Sequence, residues 1–408
     1  MSKVAVISFP GMNCEVETVS ALRRADMDAL IVRWNASHDD LHNVDAYFLP
    51  GGFSYEDRGR AGMVAAHDTM LAFLSDEVSR GKTVVGHCNG AQVLVESGLI
   101  PLGRELTMCL AHNIADNSPA GFLSQWVWMK PACDRKRCAT SDWNGVMHAP
   151  IAHGEGRFTT RDPDVLRELK KQNLIAFQYC DAEGNPADNP TITPNGSLLG
   201  IAGLCNPAGT VVALMPHPER TRNGDPYFAS LTRWLKEKHA FFTQKTSSWK
   251  ADAMQTPNIP SDSAEIFIAT TIVHNEERTI EMLLRRTHPT LRVKQMTYLR
   301  APFADLAKIL SSFSVFNPNK HAAYVRYNGT LMRWDPRTKK LAEMKNLPFS
   351  AGCTLLRLDD VPSEVVQGTC YVFSGVSEDA LLQESILTVL RNPHASSLER
   401  LADLTLAG

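Results

Sequence analysis

The sequence predicts an α/β protein with a doubly wound, mostly parallel sheet, followed by a smaller α+β domain. Short apolar strands alternate with helices over the first hundred residues, a pattern typical of a parallel sheet covered by helices. The pattern becomes irregular after Gly98 and suggests an antiparallel extension. A stretch rich in Ser, Thr, Pro and Asn then precedes a second set of strands and helices. We therefore predict a first domain over 1–242, a linker over 243–263 and a second domain over 264–408.

The first elements follow from short apolar runs and from the residues that end them. We predict strands at 3–8, 29–34 and 45–49, and helices at 14–25 and 61–80. Sites in such sheets lie at the carboxyl ends of the strands. Pro50, Gly51, Gly52 and Phe53 follow the third strand at such an end, either as an ordinary turn or as a backbone amide exposed to a developing oxyanion.

The predicted domain is organised around the stretch 82–98, KTVVGHCNGAQVLVESG. A buried strand turns into a helix there, and the turn carries Cys88 between Gly86 and Gly90. A strand-to-helix turn holds a side chain at the sheet edge with helix amides pointing towards its target, a good position for a nucleophile. A lone cysteine near apolar residues is more often a small core residue, so Cys88 needs support from other parts of the chain.

That support comes from the segment after the last predicted strand of the first domain, 210–215, where His217 and Glu219 follow at once. A nearby imidazole can take the proton of a thiol and later return it to a leaving amine. A carboxylate bonded to the other ring nitrogen fixes the tautomer. Cys88, His217 and Glu219 thus form a candidate triad, and the amides of Gly52 and Asn89 are candidate oxyanion donors.

Composition excludes several classes of protein. The 42 Lys and Arg nearly balance the 44 Asp and Glu, so no charge excess indicates binding to nucleic acid or to an anionic membrane. We expect a cytoplasmic protein, since neither a leader nor a membrane span is evident. The nine cysteines are scattered without zinc-site spacing, so we expect reduced thiols and no metal site.

At this point the motifs resemble those of a known family. They are ISFPGMNCE from residue 7, LPGGFSYED from 49, GHCNGAQVL from 86, PIAHGEGRF from 150, TPNGS from 193 and ALMPHPER from 213. The first three fifths of the chain resemble the class I glutamine amidotransferases, with a flavodoxin-like fold. More closely, they resemble the PurQ family, the glutaminase subunits of phosphoribosylformylglycinamidine synthetase in purine biosynthesis.

The resemblance implies roles for individual residues. Cys88 would be the nucleophile, His217 the general base and acid, and Glu219 its orienting partner. Gly52 and Asn89 would hold the oxyanion, and Gln92 would contact the substrate glutamine. The implied reaction is hydrolysis of the glutamine side-chain amide through a thioester, with ammonia passed to a PurL-type, ATP-dependent synthetase.

The family resemblance implies no cofactor in this chain, and we expect ATP and Mg on the partner, because no phosphate-binding Gly-rich lysine loop is present. Four residues depart from the family pattern. His87 stands where a small apolar residue is usual, and Glu56 where glycine is common. Gly121 and Gln125 stand where the family often has arginines, which concerns the docking surface or effector response more than the triad. Two alternatives remain open: a glutaminase that serves another synthetase, and a non-catalytic regulatory or scaffold subunit.

The second domain is less informative. For it we predict strands at 265–273, 294–299, 322–327, 354–358 and 369–373, and helices at 277–286, 303–313 and 378–391. A helix followed by Asn-Pro occurs twice, at Asn317 and at Asn392. This ending resembles that of the small PurS subunit of the same purine complex, which implies a fused and duplicated PurS-like domain. The alternative is an unrelated domain that binds the synthetase or forms an oligomer. No catalytic constellation is evident there.

Overall fold

The structure, a computed structural model, describes residues 1–103, 105–237, 249–344, 346, 348–350, 352–363 and 365–404. It divides into two compact units: unit 1 is Met1–Lys250 with Asn392–Ala395, and unit 2 is Ala251–Arg391 with Ser396–Gly408. The predicted end of the first domain at residue 242 and the linker residues 243–248 lie outside the described residues, so the predicted boundaries stay a prediction. Among the helices that the structure describes, none is long and apolar enough to cross a membrane.

Unit 1 is built on one large mixed sheet with helices on its faces, which confirms the predicted fold class. Its strands are β1 (Ser2–Ser8), β2 (Met27–Arg33), β3 (Ala46–Leu49), β4 (Thr83–His87), β5 (Cys109–His112), β6 (Ile114–Ala115), β7 (Ser118–Pro119), β8 (Leu123–Pro131), β9 (Met147–His153), β10 (Glu155–Thr159), β11 (Ile175–Cys180), β12 (Ile201–Cys205) and β13 (Val211–Leu214). Its helices are α1 (Glu15–Arg24), α2 (Met63–Ala66), α3 (Thr69–Ser79), α4 (Asn89–Glu96), α5 (Pro163–Lys171) and α6 (Asp225–Trp234).

The strand order of the large sheet is β2-β1-β3-β4-β13-β12-β11-β8-β9. Neighbours are parallel from β2 to β13 and antiparallel from β13 to β9. Every residue of β3, β4 and β13 is buried, as expected for parallel strands covered on both faces. The carboxyl ends of these three neighbouring strands therefore bring Gly51, Cys88 and His217 to the same edge.

The predicted helix over 61–80 is wrong as one element, because α2 and α3 are separate. Asp68 interrupts it with an extended backbone, and its carboxylate accepts a hydrogen bond from the Met70 amide at 3.0 Å. An aspartate in this position caps a new helix rather than continuing the old one. The break between α2 and α3 therefore lies at Asp68, which caps α3.

Unit 2 is an antiparallel sheet with short helices, the α+β domain that the sequence predicts. Its strands are β14 (Ser263–Thr270), β15 (Arg292–Pro302), β16 (His321–Tyr327), β17 (Thr330–Asp335), β18 (Lys340–Ala342), β19 (Cys353–Asp359), β20 (Val366–Ser374) and β21 (Ser396–Leu401). Its helices are α7 (Asn275–Leu284), α8 (Leu306–Leu310), α9 (Glu378–Leu381) and α10 (Glu384–Leu390). The predicted helix over 378–391 is thus two helices.

The strand order of unit 2 contains the same arrangement twice. The sheet order is β18-β17-β16-β14-β15-β20-β19-β21. The first half of the unit begins with β14, β15 and β16, and the second half consists of β19, β20 and β21. In each half the first of the three strands lies between the other two, as β15-β14-β16 and as β20-β19-β21. The two second strands, β15 and β20, pair with each other. A short helix precedes the third strand in both halves, and each Asn-Pro pair follows that helix. The repeated Asn-Pro therefore occupies matching positions in the order of elements along the chain, although the second pair, Asn392 with Pro393, belongs to unit 1.

Candidate active site

Cys88 occupies a strained turn between β4 and α4. Its backbone has φ 47° and ψ −107°, a combination that ordinary residues avoid. The turn closes only because its neighbours lack side chains: a Cβ on Gly90 would lie 2.0 Å from the Leu49 carbonyl oxygen, and one on Gly86 would lie 2.5 Å from the Gly90 carbonyl oxygen. The sharp strand-to-helix turn that the sequence predicts at Cys88 is present.

His217 and Glu219 lie beside this turn, just beyond β13. His217 Nδ1 donates to Glu219 Oε1 at 2.5 Å. His217 Nε2 is buried and has no hydrogen-bond partner among the described residues. A Cβ on Gly51 would lie 2.7 Å from His217 Cε1 and 3.4 Å from Cys88 Cβ, so the ring and the cysteine border the same small space. The structure therefore brings the three predicted triad residues together.

The triad is buried and carries strong electrostatic interactions. Burial opposes a charge on His217, but Glu219 and Cys88 together hold the pKa of the imidazole well above its usual range. Burial also opposes the charge of Glu219, yet His217 and then His87 hold the pKa of the carboxyl well below its usual range. His217 is therefore an imidazolium at neutral pH, and its positive charge lies beside Cys88.

The two predicted oxyanion donors are Asn89, which follows Cys88 in the chain, and Gly52. Asn89 is the first residue of α4, so its amide has no acceptor within the helix. Gly52 lines the same cavity as Cys88 and has φ 146°, and a Cβ there would lie 2.5 Å from Met12 Cα. Only glycine fits at this position.

A cavity of about 130 Å³ opens in front of Cys88. Gln92 lines it, but both ends of its side-chain amide are bonded to protein: Nε2 donates to the Glu155 carbonyl oxygen at 2.5 Å, and Oε1 accepts from Asn89 Nδ2 at 2.9 Å. The predicted contact between Gln92 and substrate stays a prediction. In the structure, Gln92 joins α4 to β10 beneath the cavity.

Three further titratable residues line the cavity: Asp57, His153 and Glu155. Burial, followed by the charge of Glu155, raises the pKa of Asp57 to about 7, although the bond from Asn89 opposes this. Burial, followed by the charge of His217, lowers the pKa of His153 to about 3. Both ring nitrogens of His153 are buried without a hydrogen-bond partner in the described residues.

Sequence reasoning did not assign roles to these three residues, although two quoted motifs contain them. Asp57 ends LPGGFSYED, and His153 and Glu155 lie in PIAHGEGRF. A Cβ on Gly156 would lie 2.1 Å from His153 Cε1, so this glycine is required for the position of the ring. The charged residues and the glycines in these motifs are the features of the sequence that indicate a role for these three residues.

Two of the residues that depart from the family pattern, Glu56 and His87, have different surroundings. The Glu56 side chain is 69% exposed and pairs with Arg58 at 2.9 Å, and it does not line the cavity. It therefore does not face the position of an anionic intermediate. His87, in contrast, is fully buried, and its ring contacts Glu219 at 2.7 Å.

Among the described residues, one group could offer ligands to a metal ion: the ligand atoms of Cys14, His217 and Glu219 lie within 4.8 Å of one another. His217 and Glu219 already bond to each other. Arg220 Nη2 donates to Cys14 Sγ at 2.9 Å. The positive charge of Arg220 therefore lies at the sulfur that would have to bind the metal ion. The geometry favours a hydrogen-bonded cluster over a metal centre.

Comparisons with known proteins identify the family of the first part of the chain. Residues 1–246 match the CobB/CobQ-like glutamine amidotransferase domain. The chain is 40% identical over 225 residues to phosphoribosylformylglycinamidine synthase subunit PurQ of Methanothrix thermoacetophila. That alignment covers 53% of this chain and 86% of the relative. The chain is 35% identical over 244 residues to the subunit of the same name from Pyrococcus furiosus, 58% of this chain and 100% of that one.

Among solved structures, one chain of PurLQS from Thermotoga maritima is similar, with 27% identity and a TM-score of 0.45. The match covers 57% of this chain and 99% of that chain.

Proposed function

The chain belongs to the CobB/CobQ-like glutamine amidotransferase family and, within it, to the PurQ subunits of phosphoribosylformylglycinamidine synthase, and from this premise we propose that Cys88 is its nucleophile. The chain hydrolyses the side-chain amide of glutamine and supplies ammonia for the synthesis of phosphoribosylformylglycinamidine. The observation that carries the assignment of Cys88 is the strained turn that aims it at a cavity beside the bonded pair of His217 and Glu219.

The chemistry follows from the charges of this group. The Cys88 thiolate attacks the amide carbon, and the amides of Gly52 and Asn89 hold the oxyanion. The His217 imidazolium then gives its Nε2 proton to the amide nitrogen, so ammonia leaves and a thioester remains. A water molecule attacks the thioester while His217 takes a proton from it, which releases glutamate and restores the thiolate. Glu219 keeps the ring in one orientation throughout.

The cavity also suits the other end of glutamine. A free amino acid carries an α-ammonium group, and the carboxylates of Asp57 and Glu155 line the cavity together. Two close carboxylates repel each other, which raises the pKa of one of them, and an ammonium between them removes that cost. The raised pKa of Asp57 supports this role, and the unbonded His153 ring supplies a neutral donor for the substrate.

The partner is a PurL-type synthetase that carries ATP and Mg, and the complex acts in the cytoplasm. The names of the relatives support the partner, since they are subunits of phosphoribosylformylglycinamidine synthase. Unit 2 is a fused, duplicated PurS-like domain in this proposal, and the repeated strand order with its matching Asn-Pro pairs supports the duplication.

The test is glutamate release from glutamine by the purified chain, alone and with the synthetase of the same organism and its substrates. Cys88→Ala should lower glutamate release by about a thousandfold or more, while synthesis from added ammonia by the complex continues. Cys353→Ala, the same change at a half-buried cysteine of unit 2, is the matched control. Glutamate release at the wild-type rate by Cys88→Ala would refute the role of Cys88. Silence of the wild type in every condition, with binding to the synthetase intact, would favour the scaffold alternative.

A further inference from the structure

We propose that His87 is a positioning residue of the triad, which donates a hydrogen bond to the second oxygen of Glu219 and so tunes the acidity of His217. This inference rests on the proposed function of Cys88, His217 and Glu219. It concerns the residue next to the nucleophile, at the end of β4.

The Glu219 carboxylate is shared between two histidines. Oε1 accepts from His217 Nδ1 at 2.5 Å, and Oε2 accepts from His87 Nδ1 at 2.7 Å. The side chains of His87 and Glu219 are fully buried, and that of His217 is 2% exposed. Both oxygens are thus held, so the carboxylate cannot rotate without losing a bond in a place that water does not reach.

The protonation states of this chain of groups follow from their surroundings. Burial lowers the pKa of His87, against the opposing effect of Glu219, so its ring is neutral. Burial raises the pKa of Tyr227 well above its usual range, so its hydroxyl keeps its proton. Since Glu219 can only accept, His87 carries its proton on Nδ1, and Nε2 accepts from the Tyr227 hydroxyl at 3.0 Å. Tyr227 therefore selects the tautomer that Glu219 requires.

Apart from these bonds, the ring of His87 is enclosed by aromatic residues. It packs edge-on against Phe48 at 4.6 Å between ring centroids and lies 6.1 Å from Phe228. An apolar side chain of similar size would suit such an enclosure. Packing alone therefore gives no reason for an imidazole here, whereas the bond to Glu219 does.

The donated bond has a consequence for His217. A donor on Oε2 draws charge away from Oε1, and a less charged Oε1 holds the proton of His217 less strongly. His87 thus makes the imidazolium a stronger acid, which suits the step in which it protonates departing ammonia. Without His87, the proton should stay longer on His217, and ammonia release should slow.

The pH dependence of the pair is also set by its other neighbours. In the part of the chain that the structure describes, the titratable or charged groups that face His217 or Glu219 are Cys14, Cys88, His87, His153, Arg220 and Tyr227. A variant at position 87 keeps the other five groups, so a shift of the pH profile in that variant is assigned to the loss of His87.

The test compares His87→Leu, which removes the donor, with His87→Asn, whose amide nitrogen lies near the position of Nδ1 and retains it. His288→Leu in unit 2 is the matched control. Glutamate release with the synthetase is measured from pH 6 to 10, and active sites are counted by alkylation of Cys88 with iodoacetamide, read by mass spectrometry.

For His87→Leu we expect kcat to fall by about tenfold to a hundredfold with KM within about twofold, and the alkaline limb of kcat/KM to move to higher pH. His87→Asn should restore both towards wild type. A purely structural role would lower the count of active sites without moving the limb. An unmoved limb with wild-type kcat in His87→Leu, or the same defect in His87→Asn, would overturn the proposal.

The failure of the proposed function would look different. If the wild type releases no glutamate, the rate of Cys88 alkylation against pH still reports the charge on His217, because it needs no glutamine. A change of that profile in His87→Leu, reversed in His87→Asn, would support the positioning role on its own. An identical profile in all three proteins would contradict it.

Discussion

Asp57 is a residue of the cavity whose charge changes in the neutral pH range. Burial and then the neighbouring Glu155 raise its pKa to about 7, so the carboxyl loses its charge as the pH falls through the neutral range. In the proposed function, the charged form binds the α-ammonium of glutamine. Substrate affinity should therefore be full above pH 8 and decline below pH 7.

We predict that the KM of the wild type for glutamine rises as the pH is lowered from 8 to 6, by up to about tenfold per pH unit below the pKa. Asp57→Asn keeps the acceptor for Asn89 Nδ2, which lies 3.0 Å away, but removes the charge. The KM of this variant at pH 8 should be about tenfold or more above that of the wild type, which corresponds to about 1.4 kcal/mol of binding free energy for each tenfold. It should vary little with pH. Asp28→Asn, at an exposed position on β2, is the control. A KM that still rises at low pH in Asp57→Asn would assign the titration to another group.

Among individual residues, the sequence predicts those that react better than those that surround them. Cys88, His217 and Glu219 follow buried strands directly, and their spacing has a chemical meaning that can be read locally. Asp57 and Glu155 act as a pair only because the loop after β3 and strand β10, about a hundred positions apart in the sequence, meet at one cavity. The role of His87 depends likewise on Glu219 and Tyr227, which come much later in the chain.

The loop after β3 is the element with the most unusual backbone. Tyr55, Glu56 and Asp57 have φ of 53°, 59° and 52°, three consecutive left-handed residues of which none is glycine. Each such residue costs about 1–2 kcal/mol relative to its ordinary conformation. The loop holds Asp57 at the cavity, so the strain lies where it positions a functional group.

Glu56→Gly should therefore stabilise unit 1, by about 0.5–1 kcal/mol. Relief of the left-handed strain exceeds the flexibility that glycine adds to the unfolded chain, and the exposed pair with Arg58 contributes little. Denaturant unfolding followed by tryptophan fluorescence measures this, since six of the seven tryptophans lie in Met1–Lys250. Glu56→Gln keeps the strain and should change stability by less than about 0.5 kcal/mol. Equal stabilisation by the two variants would point to the charge of Glu56 instead.

Elements with a strong apolar pattern could be predicted from the sequence, whereas their breaks could not. The strands at the centre of the large sheet lie within a few residues of their predicted positions, since parallel strands buried on both faces are continuously apolar. The breaks at Asp68 and near Leu382 were missed because a short helix that ends and restarts keeps nearly the same apolar spacing. In unit 2, β17, β18 and β21 were missed, since their burial alternates or is weak.

For the whole molecule, the sequence indicates two parts but not how the chain is shared between them. Unit 1 includes Asn392–Ala395, far from the rest of it in sequence. Asn392 is fully buried, and its Nδ2 donates to Glu96 Oε1 at 2.8 Å and to the Met108 carbonyl oxygen at 3.0 Å. Glu96 lies 296 positions earlier. No local pattern indicates such a pairing.

This composition of unit 1 predicts that residues 1–250 alone are less stable than the same residues in the full chain. Truncation removes two donors: Asn392, whose two acceptors are buried, and His394, whose Nε2 donates to the carbonyl oxygen of the half-buried Leu106 at 2.7 Å. A buried acceptor left unpaired costs about 1–3 kcal/mol, so the fragment should unfold at lower denaturant concentration, by fluorescence. Asn392→Ala in the full chain should shift the transition in the same direction, while Asn35→Ala, at an exposed position, should not. If the fragment matched the full chain and Asn392→Ala were neutral, Asn392–Ala395 would contribute nothing to the stability of unit 1, and the glutaminase would be complete without it.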